Sequence, residues 1–124
     1  MLDTCTLIWL AGEPGKLSAA AGSALGGSAN IALSDVSIWE ICLKWQVKKI
    51  GLPSPPRTWV AEQVRTWSLD RLPIEPEHLY RAVELPELHR DPFDRLLVAQ
   101  ALAHNATLVT PDPAIAQYPV AVVW

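Results

Sequence analysis

The sequence predicts an α/β protein: three α/β/α layers around a mostly parallel central sheet, in one domain spanning residues 1–124. Two observations carry that prediction. Short apolar runs of strand length alternate with longer segments of helical periodicity along the whole chain, the pattern of a parallel sheet joined by crossover helices. The acidic residues between these runs fall at their carboxyl ends, which is where open parallel sheets place ligands.

Each element follows in order. Residues 1–4 read as the stub of a first strand, and the apolar run up to Leu10 as a helix. The turn GEPG leads into KLSAAAGSALGG, a small-residue helix that Gly26 and Gly27 are expected to end. IALS, residues 31–34, is a short buried strand. The segment SDVSIWEICLKWQVKKIGL has helical periodicity, with Gly51 and Pro53 as its expected stop. SPPRTWVAEQVRTWSL is a loop entering an amphipathic helix with proline in its first turn. RLPIEP then reads as a short strand and EHLYRAVELPE as a helix. After HRDP come the helix DRLLVAQALAHN, the strand TLVT, a turn at PDPAI and a last strand, VAVVW.

Composition narrows the function. At 124 residues with 50% apolar content, the chain can bury a core of its own. No apolar run approaches the ~20 residues that span a bilayer, and no secretory leader pattern opens the sequence, so a cytoplasmic protein is expected. Cys5 and Cys42 fit that compartment as reduced thiols and are too few for a four-ligand zinc site. A net charge of −3 disfavours simple electrostatic binding of nucleic acid. A bound divalent cation would reverse that, by supplying positive charge where a phosphate sits.

The carboxylates are the informative residues. Asp3 closes the first strand, Ser34 closes the second, and Glu40 lies in the early turns of the helix that follows. Asp94 sits in the first turn of the helix leading into TLVT, and Asp112 comes two residues beyond that strand. Each has an ordinary explanation. Ser37 with Glu40 spells a capping box, Glu40 with Lys44 an i,i+4 ion pair, Asp3 and Asp112 suit turns, and Asp94 complements a helix dipole. Together they are costly, because carboxylates packed within a few Å repel and one must protonate unless a cation neutralises them. Oxygen ligands without Cys or His select Mg²⁺ or Mn²⁺.

The stretches LDT at 2–4, SDVSIWEICLK at 34–44, HRDPFDRLLVAQA at 89–101 and TPD at 110–112 resemble the PIN-domain ribonucleases, and among them the VapC-type toxins of toxin–antitoxin pairs. The resemblance runs in register over nearly the whole chain. It implies a metal-dependent endoribonuclease that cuts single-stranded or looped RNA, forms a homodimer and is silenced by an antitoxin. By the same resemblance the acids are Asp3, Glu40, Asp94 and Asp112, with Thr4, Ser37 and Thr110 as polar neighbours. Cys5 stands where relatives commonly carry His. Relatives also carry several more strand residues ahead of LDT, so a short first strand is expected.

In the mechanism this implies, Asp3, Asp94 and Asp112 hold the ion, while Glu40 either completes its shell or acts as general base on water. Lys44, Lys48, Lys49, Arg90 and Arg95 are the candidate RNA contacts, with Lys44 and Lys48 continuing the face of Ser37 and Glu40. Trp39, Trp45, Trp59 and Trp67 occupy helical apolar positions and are expected in the core or a dimer contact in preference to stacking on bases. Within the same helix, Asp91 before Pro92 is the expected N-cap and Asp94 the expected ligand. Two other classes compete: a PIN-like binding module without catalysis, and a phosphoacceptor receiver domain. The second lacks the adjacent acidic pair after the first strand and the late lysine that it needs.

Overall fold

The computed structural model describes residues 1–124. Its sheet is organised around one residue. Leu2 makes parallel bridges to Leu33 on one side and Val109 on the other, with its N–H on the Ala32 carbonyl at 3.0 Å and the Asp3 N–H on the Val109 carbonyl at 3.2 Å. Strand β1, Ile31–Ser34, pairs in parallel with β2, Leu69–Leu72. Strand β3, Leu108–Val109, pairs in parallel with β4, Val122–Val123. The spatial order is therefore β2–β1–Leu2–β3–β4, every pairing parallel. The chain leaves the Leu2 position with neighbours that continue in opposite directions, so the topological switch point lies at Asp3.

Helices cover both faces: α1 Thr4–Gly12, α2 Ala19–Gly27, α3 Asp35–Gln46, α4 Pro56–Thr66, α5 Pro76–Glu84 and α6 Pro92–Ala103. Strand alternation sorts the core into two halves. Leu2, Leu33, Leu69 and Val109 pack with Leu7, Leu10, Leu25, Ile41 and Trp59 from α1 to α4. Met1, Leu108 and Val36 pack with Leu96, Leu97, Val98 and Ala101 from α6. Each fully buried Leu or Val contributes about 1.5–3 kcal/mol, so these two clusters fix the sheet and, with it, the strand ends that carry the acids.

The boundaries differ from expectation where local chemistry overrides periodicity. The third helix ends at Gln46, not near Gly51, because Lys48 turns into the left-handed region at φ 58°. Its carbonyl-side cap is closed by the Lys49 N–H on the Lys44 carbonyl at 2.8 Å. Lys48 is thus off the helix and does not continue the face of Lys44. The strand expected at 71–76 lies at Leu69–Leu72 instead, since Pro73 has no N–H to donate to a ladder. The strands expected at 107–110 and 120–124 shrink to two residues each, and the first strand to the Leu2 bridge. Of the four tryptophans expected inside or at an interface, Trp59 is core, while Trp39, Trp45 and Trp67 are exposed.

Candidate active site

Three helix N-termini and two strand ends meet at the switch point. Asp3 caps α1: its Oδ1 accepts the Thr6 N–H at 2.6 Å and its Oδ2 the Thr110 hydroxyl at 2.6 Å. Thr110 follows β3 and also accepts the Asp112 N–H at 3.1 Å, so one hydroxyl ties Asp3 to the TPD turn. Glu40 comes one and a half turns into α3, whose N-cap is Ser34, not Ser37. Its Oε2 accepts the Thr4 hydroxyl and its Oε1 lies 2.6 Å from Lys44 Nζ. Asp94 is the third residue of α6, and the cap of that helix is Asp91, which accepts the Phe93 N–H at 2.9 Å. Asp112 accepts the Ala114 N–H at 2.7 Å through Oδ1.

Asp3, Thr4, Glu40, Lys44, Asp94 and Asp112 line one cavity of about 390 Å³, together with Cys5, Asp91 and two prolines. Asp3 and Glu40 are only 5% and 7% exposed. Ser37 stays one turn ahead of Glu40, buried, with its hydroxyl unpartnered, and does not line the cavity. Lys48, Lys49 and Arg90 are exposed and stand outside the lining.

Arg95 corrects an expectation. Its guanidinium does not reach toward a nucleic acid, because it is spent on protein acceptors. It donates to the carbonyls of Ala82 and Leu85 at 2.8 Å, to Pro86 at 2.9 Å and to the Tyr118 hydroxyl at 3.2 Å. It caps the C-terminal end of α5, where carbonyls lack helical partners.

Sequence reasoning missed His89. Its Nε2 lies 2.8 Å from Asp112 Oδ2 and 3.2 Å from Asp94 Oδ2, between two of the four acids. The available signal was a lone histidine five residues before Asp94, which no helical or strand spacing connects to the site.

The electrostatics are those of buried, crowded carboxylates. Burial pushes the Asp94 carboxyl up to about 7, with the nearby charges of Asp91, Glu40 and Asp112 adding to it against the pull of His89. Burial also raises Asp3, against hydrogen bonds from Thr110 and Thr6. Cys5 is raised by burial and by Asp3, which keeps it a thiol. Asp112 goes the other way: burial would raise it, but the bonds from His89 and Ala114 outweigh burial. Lys44 is held above its usual range because its bond to Glu40 outweighs its own desolvation. Buried carboxylates gathered in one cavity, Asp3 and Asp94 both raised by desolvation with neighbouring acids adding to it, are a donor set that fits a divalent cation.

A second, larger cavity of about 700 Å³ lies between α3 and α4 and contains none of the four acids. We place the chemistry in the smaller cavity, because it is where titratable groups are perturbed by one another.

Comparison with known proteins bears on the same residues. The sequence is 34% identical over 116 residues to Ribonuclease VapC22 of Mycobacterium tuberculosis (strain ATCC 25618 / H37Rv), covering 90% of this chain and 85% of that protein. The fold superposes with a TM-score of 0.71 on a chain of the crystal structure of VapBC2 from Rickettsia felis bound to a DNA fragment from their promoter, at 20% identity, covering 98% of this chain and 95% of that one. The model of the PIN domain matches residues 1–121, a span that includes all four acids, Lys44 and His89. With its doubly wound parallel sheet and acids gathered at the switch point, this chain belongs to the PIN domain family.

Proposed function

We propose that this chain is a metal-dependent endoribonuclease, the toxin of a type II toxin–antitoxin pair. The observation that carries the reading is the convergence of Asp3, Glu40, Asp94 and Asp112 on one cavity, where burial and neighbouring carboxylates push Asp94 up to about 7. The 34% identity to Ribonuclease VapC22 supports RNA as the substrate class. The cofactor is Mg²⁺ or Mn²⁺, since the converging ligands are oxygens. Asp3, Asp94 and Asp112 hold the ion, which supplies charge to the scissile phosphate and an acidified water.

The protein's own groups do the rest. Asp94 sits at the positive end of the α6 dipole, which favours the ionised form that a ligand needs. Thr110 and the Thr6 N–H fix both oxygens of Asp3, so that its carboxylate points one way before any ligand arrives. Glu40, oriented by Thr4 and Lys44, positions the attacking water and accepts its proton. Attack at phosphorus leaves a 5′-phosphate and a 3′-hydroxyl. Lys44 is the cation nearest the acids; Lys48, Lys49 and Arg90 serve the RNA backbone further out, and Arg95 is withdrawn from that role.

Partners follow from two surfaces. Trp39, Leu79 and Val83 are 54%, 48% and 78% exposed, and they line an apolar groove between α3, α5 and α6. An exposed apolar patch of this kind marks an interface, and we assign it to a homodimer. The α3–α4 groove has an apolar floor of Ile38, Val60 and Val64 with Arg57, Arg65 and Arg71 around it. It suits an acidic amphipathic segment of an antitoxin. No helix is long and apolar enough to cross a membrane.

Titration of the metal-stripped protein with Mn²⁺ separates the nuclease from a binding module of the same fold. One or two ions per chain are expected, and loss of binding in Asp94→Asn. A wild-type protein that takes up no Mn²⁺ defeats the nuclease reading.

A further inference from the structure

His89 lies in the loop between α5 and α6, half-buried and held from three directions. Its Nδ1 accepts the Asp91 N–H at 2.9 Å. Its own N–H donates to the Tyr118 hydroxyl at 2.9 Å, and that hydroxyl donates onward to the Pro86 carbonyl at 3.0 Å. Arg95 donates to the same hydroxyl and, at 3.5 Å, to the His89 carbonyl. The ring therefore has one orientation, with Nε2 against Asp112 at 2.8 Å and Asp94 at 3.2 Å.

Two roles fit those distances. His89, Asp94 and Asp112 each offer one atom, and these atoms lie within 4.8 Å of one another, close enough for three ligands of a single ion. Alternatively, Nε2–H is a hydrogen-bond donor to Asp112 that also faces Asp94. The tautomer decides between them. A ligating Nε2 needs its lone pair, which moves the ring proton to Nδ1. Nδ1 already faces a backbone donor, so that tautomer sets N–H against N–H and loses the Asp91 bond. The donor role keeps every bond in place.

We propose that His89 is a positioning residue of the acidic site and not a metal ligand: its Nε2–H donates to Asp112 while facing Asp94 at 3.2 Å, and so holds both carboxylates in the arrangement that receives the cation. The inference rests on the metal-site reading above. It also gives the loop HRDP a purpose, because Asp91 does two jobs at once: its carboxylate caps α6 and its N–H sets the tautomer of His89. Without the imidazole, Asp112 keeps only backbone bonds such as that from Ala114 to Oδ1, and Asp94 loses the ring nitrogen that faces it. The two then repel and separate.

The test uses the full-length protein, stripped of metal, with wild type, His89→Ala and His89→Gln. The glutamine amide N–H can reach where Nε2–H stands but cannot replace an imidazole as a metal ligand. Long-range ¹⁵N–¹H correlation of the metal-free wild type should show the proton on Nε2 and a bare Nδ1. Calorimetric titration with Mn²⁺ should show binding weakened about 10- to 100-fold in His89→Ala, the usual cost of losing a group that orients a ligand, and largely recovered in His89→Gln. Circular dichroism confirms that both variants are folded. A proton on Nδ1, in the neutral ring or the cation, overturns the proposal. So does wild-type Mn²⁺ affinity in His89→Ala, or His89→Gln as weak as alanine. A wild type that binds no Mn²⁺ is a different failure: it removes the metal site itself, and His89 with it.

Discussion

Replacing Asp94 with asparagine should make the metal-free protein more stable, and only at neutral and alkaline pH. A carboxyl whose folded pKa stands above its unfolded value binds more protons folded than unfolded, so it removes stability as pH rises between the two values. For Asp94 those values are 3.8 and about 7. A gap of that size corresponds to about 4 kcal/mol at full strength. Asp94 is partly open to water, and screening there leaves about 2 kcal/mol. Asparagine has the shape of the protonated acid and carries no charge, so the penalty disappears. For a chain of this length, about 2 kcal/mol moves the midpoint by about 6–8 °C. Thermal melts in EDTA, followed by far-UV circular dichroism, should show the two proteins converging near about pH 4 and diverging fully by about pH 8. Mn²⁺ should then reverse the order: at about 100 times Kd it adds about 2.7 kcal/mol to wild type and little to Asp94→Asn. Parallel melting curves at all pH values, or a variant less stable at high pH, would refute the claim that burial and neighbouring carboxylates penalise the ionised form of Asp94.

Other expectations follow from the same geometry. Asp91→Asn should keep its fold and its Mn²⁺ binding, since asparagine caps a helix as well as aspartate, whereas Asp91→Ala should lose about 0.5–2 kcal/mol in urea denaturation. If Asp91→Asn abolishes metal uptake while Asp94→Asn retains it, the assignment of the third acid is reversed. Mn²⁺ affinity should weaken toward tenfold per unit as pH falls below about 7, because the metal must displace the Asp94 proton; a flat profile between about pH 5.5 and 7.5 contradicts this. Arg95→Ala should lower the melting temperature, as charged hydrogen bonds are worth about 1.5–3 kcal/mol, without changing the salt dependence of RNA binding; a reduced salt slope would return Arg95 to the RNA-binding surface. Light scattering should give about twice 13.6 kDa, and Val83→Glu should halve it. A wild-type monomer at micromolar concentration would refute the dimer.

The fold was legible because alternation and helical periodicity are strong signals here, and the parallel sheet followed from them. Chain ends and helix ends were not. The first strand keeps only Leu2 because α1 starts at Thr4, where Asp3 caps it, and a cap competing with a strand leaves no trace in periodicity. Asp3, Glu40, Asp94 and Asp112 could be placed at strand ends and helix starts from spacing, and the structure brings all four to one cavity. Arg95 and His89 were misjudged for one reason. Their roles depend on loop carbonyls and an N–H that fold back on them, such as Leu85 and Asp91, and no spacing rule encodes such returns. Lys48 was misplaced because a left-handed residue ends α3 early.

The central claim is that the four-acid cavity cuts RNA with the help of a divalent cation. The most direct measurement incubates the purified, partner-free protein with a pool of structured RNAs, in Mn²⁺ or Mg²⁺, in EDTA, and in Mn²⁺ with Asp94→Asn in place of wild type. The account predicts discrete fragments with 5′-phosphate ends from wild type in either metal, and intact RNA in EDTA and with Asp94→Asn. Cleavage that persists in EDTA, or that Asp94→Asn performs as well as wild type, contradicts it.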